Sequence, residues 1–524
     1  MSMDSANAAL YFVDRHTGEG RGDKTAFREA AGAKREISYG ALAARTAQMA
    51  GALARTGIRR DERALMLMLD SVDFPVIFWG AIKAGVNPIP LNTLLSTSVY
   101  DEIFHDSRAS CLFVSAALYD TVAAALPLNP FIRKVVVVGG PVPEGAPDGT
   151  EAFDDFIAGA EAAEAVIADE DEVAFWLYSS GSTGRPKGVK HVHGSLKATS
   201  DTYGAQVLGI AEDDLLYSVA KLFFAYGLGN AMTFPMSVGA TTILFDGRPT
   251  PETVSAILAE QRPTIFCGVP TLYAAILDYW DGRAARPDAP LRACISAGEA
   301  LPEQIGRKWK AAWGVDILDG VGSTEMLHIF LSNRPGQVVY GTSGTAVPGY
   351  ELRLVDEAGN EIAAPKAGEE PKVGELLVRG ASAADGYWNQ RSKTRTTFEG
   401  EWTRTGDKYE LTPEGRYVYC GRTDDMFKVS GIWVSPFEVE QALVSHPAVL
   451  EAAVVAWRDE EGLEKPKAYV VLKGGRTDLD LEALKAHVQK LIGKWKYPRW
   501  VDVVPELPKT ATGKIQRFKL RQGA

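Results

Sequence analysis

Apolar residues in this chain come in short runs separated by longer stretches of helical period. ALMLML (64–69) has the length and continuity of a buried strand, and residues 72–84 repeat apolar positions at helical spacing. CLFVS (111–115) and KVVVVG (134–139) return to strand form. Further on, strands at 173–177, 216–220, 241–245, 264–269, 293–296 and 315–318 interleave with helices at 252–260, 272–280 and 303–312. Such alternation predicts parallel sheets covered by helices, an α/β architecture. Near residue 340 the texture changes to ELRLVDEAGNEI, GELLVRG and GRYVYCG, which predict a small antiparallel β-barrel or distorted sheet. Beyond Asp424 come a helix (436–445), strands (452–457, 468–472), a helix (479–491) and a strand (500–504). That is an α+β unit of about a hundred residues, the size of a small domain. The expected division is an N-terminal region 1–423, β-rich from about 338, and a mobile C-terminal lid domain 424–524. The acidic, Ala/Gly/Pro-rich stretch 141–172 reads as a solvated loop or surface helix.

At 524 residues the chain is longer than one core sustains, which agrees with that division. A net charge of −11 argues against nucleic acid as the main partner. Residues 425–524 nevertheless hold an excess of Lys/Arg, which suits a unit that closes over an anion and equally suits ordinary surface variation. Cys111, Cys267, Cys294 and Cys420 are far apart and form no CxxC pair, as reduced thiols would. The opening MSMDSANAAL has neither a basic nor an apolar signal region, and no apolar run approaches the roughly 18 residues of a membrane helix. A cytoplasmic protein without membrane contact is expected.

The densest chemistry is YSSGSTGRPKGV (178–189), where Gly181, Gly184 and Gly188 stand among Ser179, Ser180, Ser182, Thr183, Arg185 and Lys187. Glycines let backbone N–H groups converge, and hydroxyls and a lysine add donors, so the stretch suits a triphosphate. It is not a Walker A loop, since Pro186 precedes Lys187 and no Ser or Thr follows it. A plain strand-to-helix turn is the alternative. DGVGSTEM (319–326) follows a predicted strand, at the end where α/β sheets collect ligands, and Glu325 beside phosphates would hold Mg²⁺. The competing reading is a helix capped by Ser323 or Thr324. SAGEAL (296–301) has residues small enough for adenine to lie on the backbone, or simply starts a helix. In TRTGD (403–407) and GRTDDMFKVSG (421–431), Asp407 offers an acceptor for both ribose hydroxyls, Arg422 suits ribose or phosphate, and Asp424 stands where the domains join. Each of these is otherwise a charged surface turn. In PKTATGKIQRFKL (508–520), Lys514 is either a cation for a departing phosphoryl group or part of a solvated basic tail.

In their order along the chain, and over essentially its whole length, the five blocks resemble those of the acyl-adenylate-forming superfamily, in its acyl-CoA synthetase branch. The resemblance implies that Ser180, Gly181, Ser182, Thr183, Gly184 and Lys187 hold the ATP phosphates, with Glu325 and Thr183 on Mg²⁺. Gly298, Glu299 and Ala300 would border adenine, and Asp319, Gly320, Gly322, Ser323 and Thr324 would complete the nucleotide site. Asp407 and Arg422 would bind ribose, Asp424 would be the hinge, and Lys514 would promote adenylation. Lys428, Ser430, Gly431 and Trp433 would line the coenzyme A channel.

The family's acid pocket falls on KLFFAYGLGNAMTFP (221–235), where Phe223, Phe224, Tyr226 and Phe234 alternate with the small Ala225 and Gly227. Aromatic walls with small residues between them suit a flat ring. Other members often carry His at the place of Phe224, and no carboxylate here could pair an α-ammonium group. By the same resemblance Gly322 and Ile329 are pocket walls and His328 is a polar partner for the acid's carboxylate, or else a structural histidine. The wording of this block and of GSTEMLHIFLSN is similar to benzoate–CoA ligases. That implies benzoate, ATP and coenzyme A as substrates, with a benzoyl-AMP intermediate. Ligases for aminobenzoate, hydroxybenzoate or another cyclic acid, and a non-catalytic adenylate-binding module, are the alternatives. With no carrier domain before Ala524, a free thiol such as coenzyme A is the expected acceptor. A monomer or homodimer is expected, and a lysine acetyltransferase acting on Lys514 would switch the enzyme off by removing its charge.

Overall fold

Strands buried on both faces must be apolar throughout, and the runs noted above pair in that way. In the computed structural model, which describes residues 5–180, 186–281, 286–429, 432–475, 479–493, 495–509 and 515–521, Asn87–Pro90, Arg63–Leu67, Cys111–Ser115, Lys134–Val138 and Glu151–Ala152 form a parallel sheet in that order. A second sheet of nine strands carries the site. From one side it runs Ile317–Gly322, Ala293–Ser296, Ile265–Gly268, Leu215–Ser218, Thr241–Leu244 and Thr25–Glu29, all parallel. Antiparallel strands close both edges: Glu36–Ser38 at one, Ile329–Ser332 and then Thr345–Ala346 at the other.

Val173–Ser180 and Pro186–Val192 make an antiparallel hairpin, extended by Gly386–Tyr387. The Gly-rich loop therefore joins two strands, not a strand and a helix. The segment from Glu351 to Arg422 is a curled antiparallel sheet of five strands. Beyond it, Val449–Arg458, Glu464–Leu472 and Trp500–Val503 form a separate sheet packed by the helices Pro436–Val444 and Leu481–Ile492. Its core, which includes Val439, Leu443, Val454, Val470, Leu484 and Val488, draws only on residues beyond 426. No helix among the described residues is long and apolar enough to cross a membrane.

Two expectations need correction. The stretch 141–172 is not simply solvated: Phe153–Ile157 is a short helix, with Phe153 and Phe156 in the core beneath the first sheet. At Gly51, on the helix Tyr39–Arg55, a Cβ would meet the Glu161 carbonyl oxygen at 1.8 Å, so the following chain lies directly on that helix. Two buried aromatics outweigh the acidic residues around them. The second correction is at 319–326, which starts no helix but turns from Ile317–Gly322 into Ile329–Ser332.

One buried charge organises the C-terminal unit. Glu440 accepts from the Val454 backbone N–H at 2.7 Å, and its Oε2 takes Arg517 Nη2 at 2.8 Å. Arg517 also faces Asp425 at 3.7 Å. Removing one partner of such a pair strands the other charge away from water. Glu440→Ala should therefore destabilise the C-terminal unit by about 3 kcal/mol, read as faster amide exchange across Val449–Leu472 with exchange in the nine-stranded sheet unchanged.

Candidate active site

The turn 323–328 is held by three donors from two remote parts of the chain. The Thr324 carbonyl accepts from His191 Nε2 at 2.8 Å, the Glu325 carbonyl from the Ala384 N–H at 2.8 Å, and the Met326 carbonyl from Ser382 Oγ at 2.8 Å. Ser323 Oγ accepts from the Met326 N–H at 3.1 Å. Leu327 has φ of +65°, which is costly for a residue with a Cβ and persists only where the surroundings dictate it. A Cβ at Gly322 would meet the His328 carbonyl oxygen at 2.6 Å, so glycine is what lets the two arms of the turn close.

This bracing aims Glu325. Its Oε1 accepts from the Tyr387 hydroxyl at 2.8 Å and lies 3.5 Å from Lys187 Nζ. Lys187 reaches it from the hairpin, in register with Ser179, with its ammonium 4.8 Å from the centre of the Tyr387 ring. Burial alone would raise the Glu325 carboxyl, but Lys187 and the Tyr387 hydroxyl more than offset this and hold it below its usual range. Burial lowers Lys187 in turn, and Glu325 partly restores it. A paired anion and cation thus stand together between the hairpin and the turn.

Among the described residues no group of three or more His, Cys, Asp or Glu could cage a metal. One carboxylate with a nearby cation fits Mg²⁺, which keeps waters and phosphate oxygens as most of its ligands.

The neighbouring strand ends carry the other expected nucleotide residues. Ser296 pairs with Asp319 across the sheet, and Gly298 in the turn that follows has φ of +96°. Glu299 accepts from the Ile515 N–H at 2.9 Å, and Ala300 beside it is half-buried. Burial pushes the Asp319 carboxyl well above its usual range. Gly320 packs on Ile329, where a Cβ would lie 2.8 Å from Cδ1. Asp407 and Arg422 are opposite each other on paired strands, with Arg422 Nη1 3.0 Å from Asp407 Oδ1 and 3.0 Å from the Thr405 carbonyl oxygen. The Asp407 charge raises the guanidinium still further. Asp424 lies exposed in the turn that follows.

His328, at the far end of the braced turn, sits in a cage of rings. Its centroid is 4.5 Å from Phe234, 5.3 Å from Tyr203 and 5.8 Å from Tyr226. Tyr226 is tethered through its hydroxyl to the Gly268 carbonyl at 3.1 Å. Burial lowers His328 to about 3, so it is neutral. Its Nε2 lies 3.3 Å from the Tyr226 carbonyl oxygen and donates to it, which leaves the buried Nδ1 as an acceptor without a partner. In that tautomer His328 cannot donate to a carboxylate; pairing with the acid would require the proton on Nδ1. Ala225 and Gly227 line the same helical turn, Ile329 is buried beside His328, and Phe224 packs on Phe223 at 4.4 Å.

Gly181, Ser182, Thr183, Gly184, Ser430, Gly431 and Lys514 lie outside the described residues. The backbones of Lys428 and Trp433 pair across the hairpin Phe427–Val429 and Ile432–Val434, and Ser180 ends its strand. Sequence reasoning missed Tyr203, Tyr387 and His191. The dipeptide Gly386–Tyr387 carried no motif signal, and its part shows only once it pairs with the hairpin.

Hairpin and carboxylate turn come together at the Lys187–Glu325 pair, and the sequence pattern of AMP-binding enzymes matches residues 14–388. That of the AMP-binding enzyme C-terminal domain matches residues 438–514. The chain belongs to the AMP-binding enzyme family. Among curated relatives, it is 52% identical to a benzoate–CoA ligase of Thauera aromatica, over 98% of this chain and 95% of that one. It is 49% identical to a 4-hydroxybenzoate–CoA/benzoate–CoA ligase of Rhodopseudomonas palustris, over 100% and 95%. Among solved structures, a benzoate CoA ligase from Burkholderia xenovorans LB400 superposes with a TM-score of 0.89 at 48% identity, covering 99% of this chain and 100% of that one.

Two outcomes follow from the geometry. Tyr387→Phe keeps the ring under Lys187 but removes the hydrogen bond to Glu325; kcat/KM for MgATP should fall about tenfold while KM for the acid stays put, the size of one hydrogen bond to a charged group. Because burial keeps His328 neutral, the pH profile of kcat/KM for the acid between about pH 5.5 and 8.5 should have the same shape in the wild type and in His328→Asn.

Proposed function

We propose that this chain is an AMP-forming acid–thiol ligase that converts benzoate, ATP and coenzyme A to benzoyl-CoA, AMP and diphosphate. The observation that carries the reading is the single turn 323–328, which presents Glu325 to the phosphate hairpin and His328 to a cage of aromatic rings. An aromatic acid held at one end would have its carboxylate near a phosphate held at the other. The full-length likeness to two ligases named for benzoate supports the same acid.

In the first half-reaction a benzoate oxygen attacks the α-phosphorus, and the bond to the diphosphate oxygen breaks. Lys187 and the Gly-rich loop hold the phosphates, Asp407 and Arg422 hold the ribose, and the 296–301 turn borders adenine. Mg²⁺, held through Glu325 and the Thr183 hydroxyl, would spread the charge of the departing diphosphate. Positioning does most of the work, because little covalent chemistry falls to the protein. Lys514, brought over by the C-terminal unit, adds a cation. In the second half-reaction that unit turns about Asp424, and the thiolate enters past Lys428, Ser430, Gly431 and Trp433. Sulfur attacks the acyl carbon and the C–O bond to AMP breaks. One site thereby serves two reactions by exchanging a wall. Acylation of Lys514 by a lysine acetyltransferase would stop the first step, and free buried thiols suit a reducing, cytoplasmic setting.

A second reading, 4-hydroxybenzoate as co-substrate, has one specific support: the bare Nδ1 acceptor of His328 is what a ring hydroxyl would satisfy. A panel of benzoate, 4-hydroxybenzoate, 2-aminobenzoate, cyclohexene carboxylate and octanoate, followed by AMP release with coenzyme A present, tests both. Benzoate should have the highest kcat/KM; octanoate exceeding it would overturn the assignment. In the same assay Lys514→Ala should slow benzoate-dependent diphosphate exchange at least about a hundredfold and spare transfer from supplied benzoyl-AMP.

A further inference from the structure

Glu299 follows the strand Ala293–Ser296 on the large sheet, yet its Oε1 accepts a hydrogen bond from the backbone N–H of Ile515, in the C-terminal unit, at 2.9 Å. Both ends of that bond are firmly mounted. On one side, the Ser296–Asp319 pairing ties the 297–301 turn to the strand that leads into the Glu325 turn. On the other, Ile515 forms an antiparallel bridge with Lys509, and the Gln516 N–H donates to the Pro508 carbonyl at 2.8 Å. The Ile515 side chain packs on a cluster that includes Val455, Tyr469, Leu507 and Leu520, and Lys509 Nζ pairs with Glu451 at 2.7 Å on the C-terminal sheet. A force on the Ile515 N–H is thus a force on the whole unit.

The rest of the seam is not uniformly attractive. Tyr419 meets Phe437 edge-on at 5.4 Å, but Glu410, already raised by burial, faces the like charge of Glu438. Lys496 draws Glu438 toward itself at 2.7 Å. A charged acceptor on a main-chain donor therefore carries a large share of the docking.

We propose that Glu299 is a positioning residue: its carboxylate latches the C-terminal unit over the nucleotide site for acid activation, and gives up Ile515 before thioester formation. The latch rests on the ligase reading above and adds a control on its order. Ile515 is the residue directly after Lys514 in sequence. A main-chain donor is independent of the side chain at 515, so nothing in the sequence there announces it.

The test uses the full chain and measures the two half-reactions separately: benzoyl-AMP formation from benzoate and MgATP in a single turnover, and thioester formation from supplied benzoyl-AMP and coenzyme A. In Glu299→Ala the ratio of activation rate to transfer rate should fall about tenfold, the worth of one hydrogen bond to a charged group. Glu299→Gln, which still offers an acceptor, should recover most of that ratio. KM for ATP is measured in each variant and the rates are compared at saturating MgATP, so that a contact of the same turn with the nucleotide is separated from the hold on the lid. Ile515→Pro, which deletes the donor from the other side, should shift the ratio in the same direction. An unchanged ratio in both Glu299→Ala and Ile515→Pro, or a rise in KM for ATP that accounts for the whole loss, overturns the latch. If the wild type forms no adenylate from any acid, the ligase reading itself falls; if it makes both products and only the ratio fails to move, the latch alone falls.

Discussion

A carboxylate held away from water is expensive unless charge and hydrogen bonds meet it, and Glu325 is met by both. Lys187 supplies the charge and Tyr387 the hydrogen bond, and each comes from a strand of the same small three-stranded sheet. The partners of Glu325 are spread over two hundred positions of sequence, so the pair exists only once the hairpin, the carboxylate turn and the Gly386–Tyr387 strand have docked. The same requirement keeps the turn in one conformation. Three successive carbonyls, from Thr324 to Met326, are each taken by a donor from elsewhere, and that over-determination holds Leu327 in its left-handed conformation.

The acid pocket inherits its position from that bracing. His328 is two residues from Met326, and its own N–H donates to the Met326 carbonyl at 2.7 Å, so what orients Glu325 also orients the imidazole. Tyr226 is tied by its hydroxyl to the floor strands, and Tyr203 and Phe234 close the cage from the helical layer. The spacing between the Glu325 carboxylate and the rings around His328 is thus set by one short turn. A rigid spacing of this kind suits a step whose rate depends on alignment of a carboxylate with a phosphorus atom.

Much of this was legible in the residues. The parallel strands were readable because burial on both faces leaves continuous apolar runs, and Cys111–Ser115 and Ala293–Ser296 fall where the pattern put them. The motif blocks stood out because glycine and charge cannot be hidden by packing, and the structure brings Lys187 to Glu325 and Asp407 to Arg422. What was not legible depends on partners remote in sequence. The Phe153–Ile157 helix looked solvated because the stretch around it is rich in acids, whereas depth is decided by Phe153, Phe156 and Ile157. DGVGSTEM fits a helix start by local rules, and only the antiparallel strand Ile329–Ser332 turns it into a hairpin bend. Tyr387, in a two-residue strand, has too little pattern to announce itself. The tautomer of His328 follows from the Tyr226 carbonyl, a main-chain group that any residue at that position would present.

The C-terminal unit faces the opposite demand from the carboxylate turn. A wall that must be exchanged during each turnover cannot be held by a dry apolar interface, because the cost of opening would then appear in every cycle. The unit has a core of its own, with the buried Glu440–Arg517 pair beside it. Its seam with the large region instead mixes one aromatic contact, a like-charge pair and a hydrogen bond to a main-chain donor. Interactions of that kind are worth a few kcal/mol at most and can be replaced by water. The buried apolar clusters thus lie within each unit, and the contacts described between them are polar or aromatic and individually small.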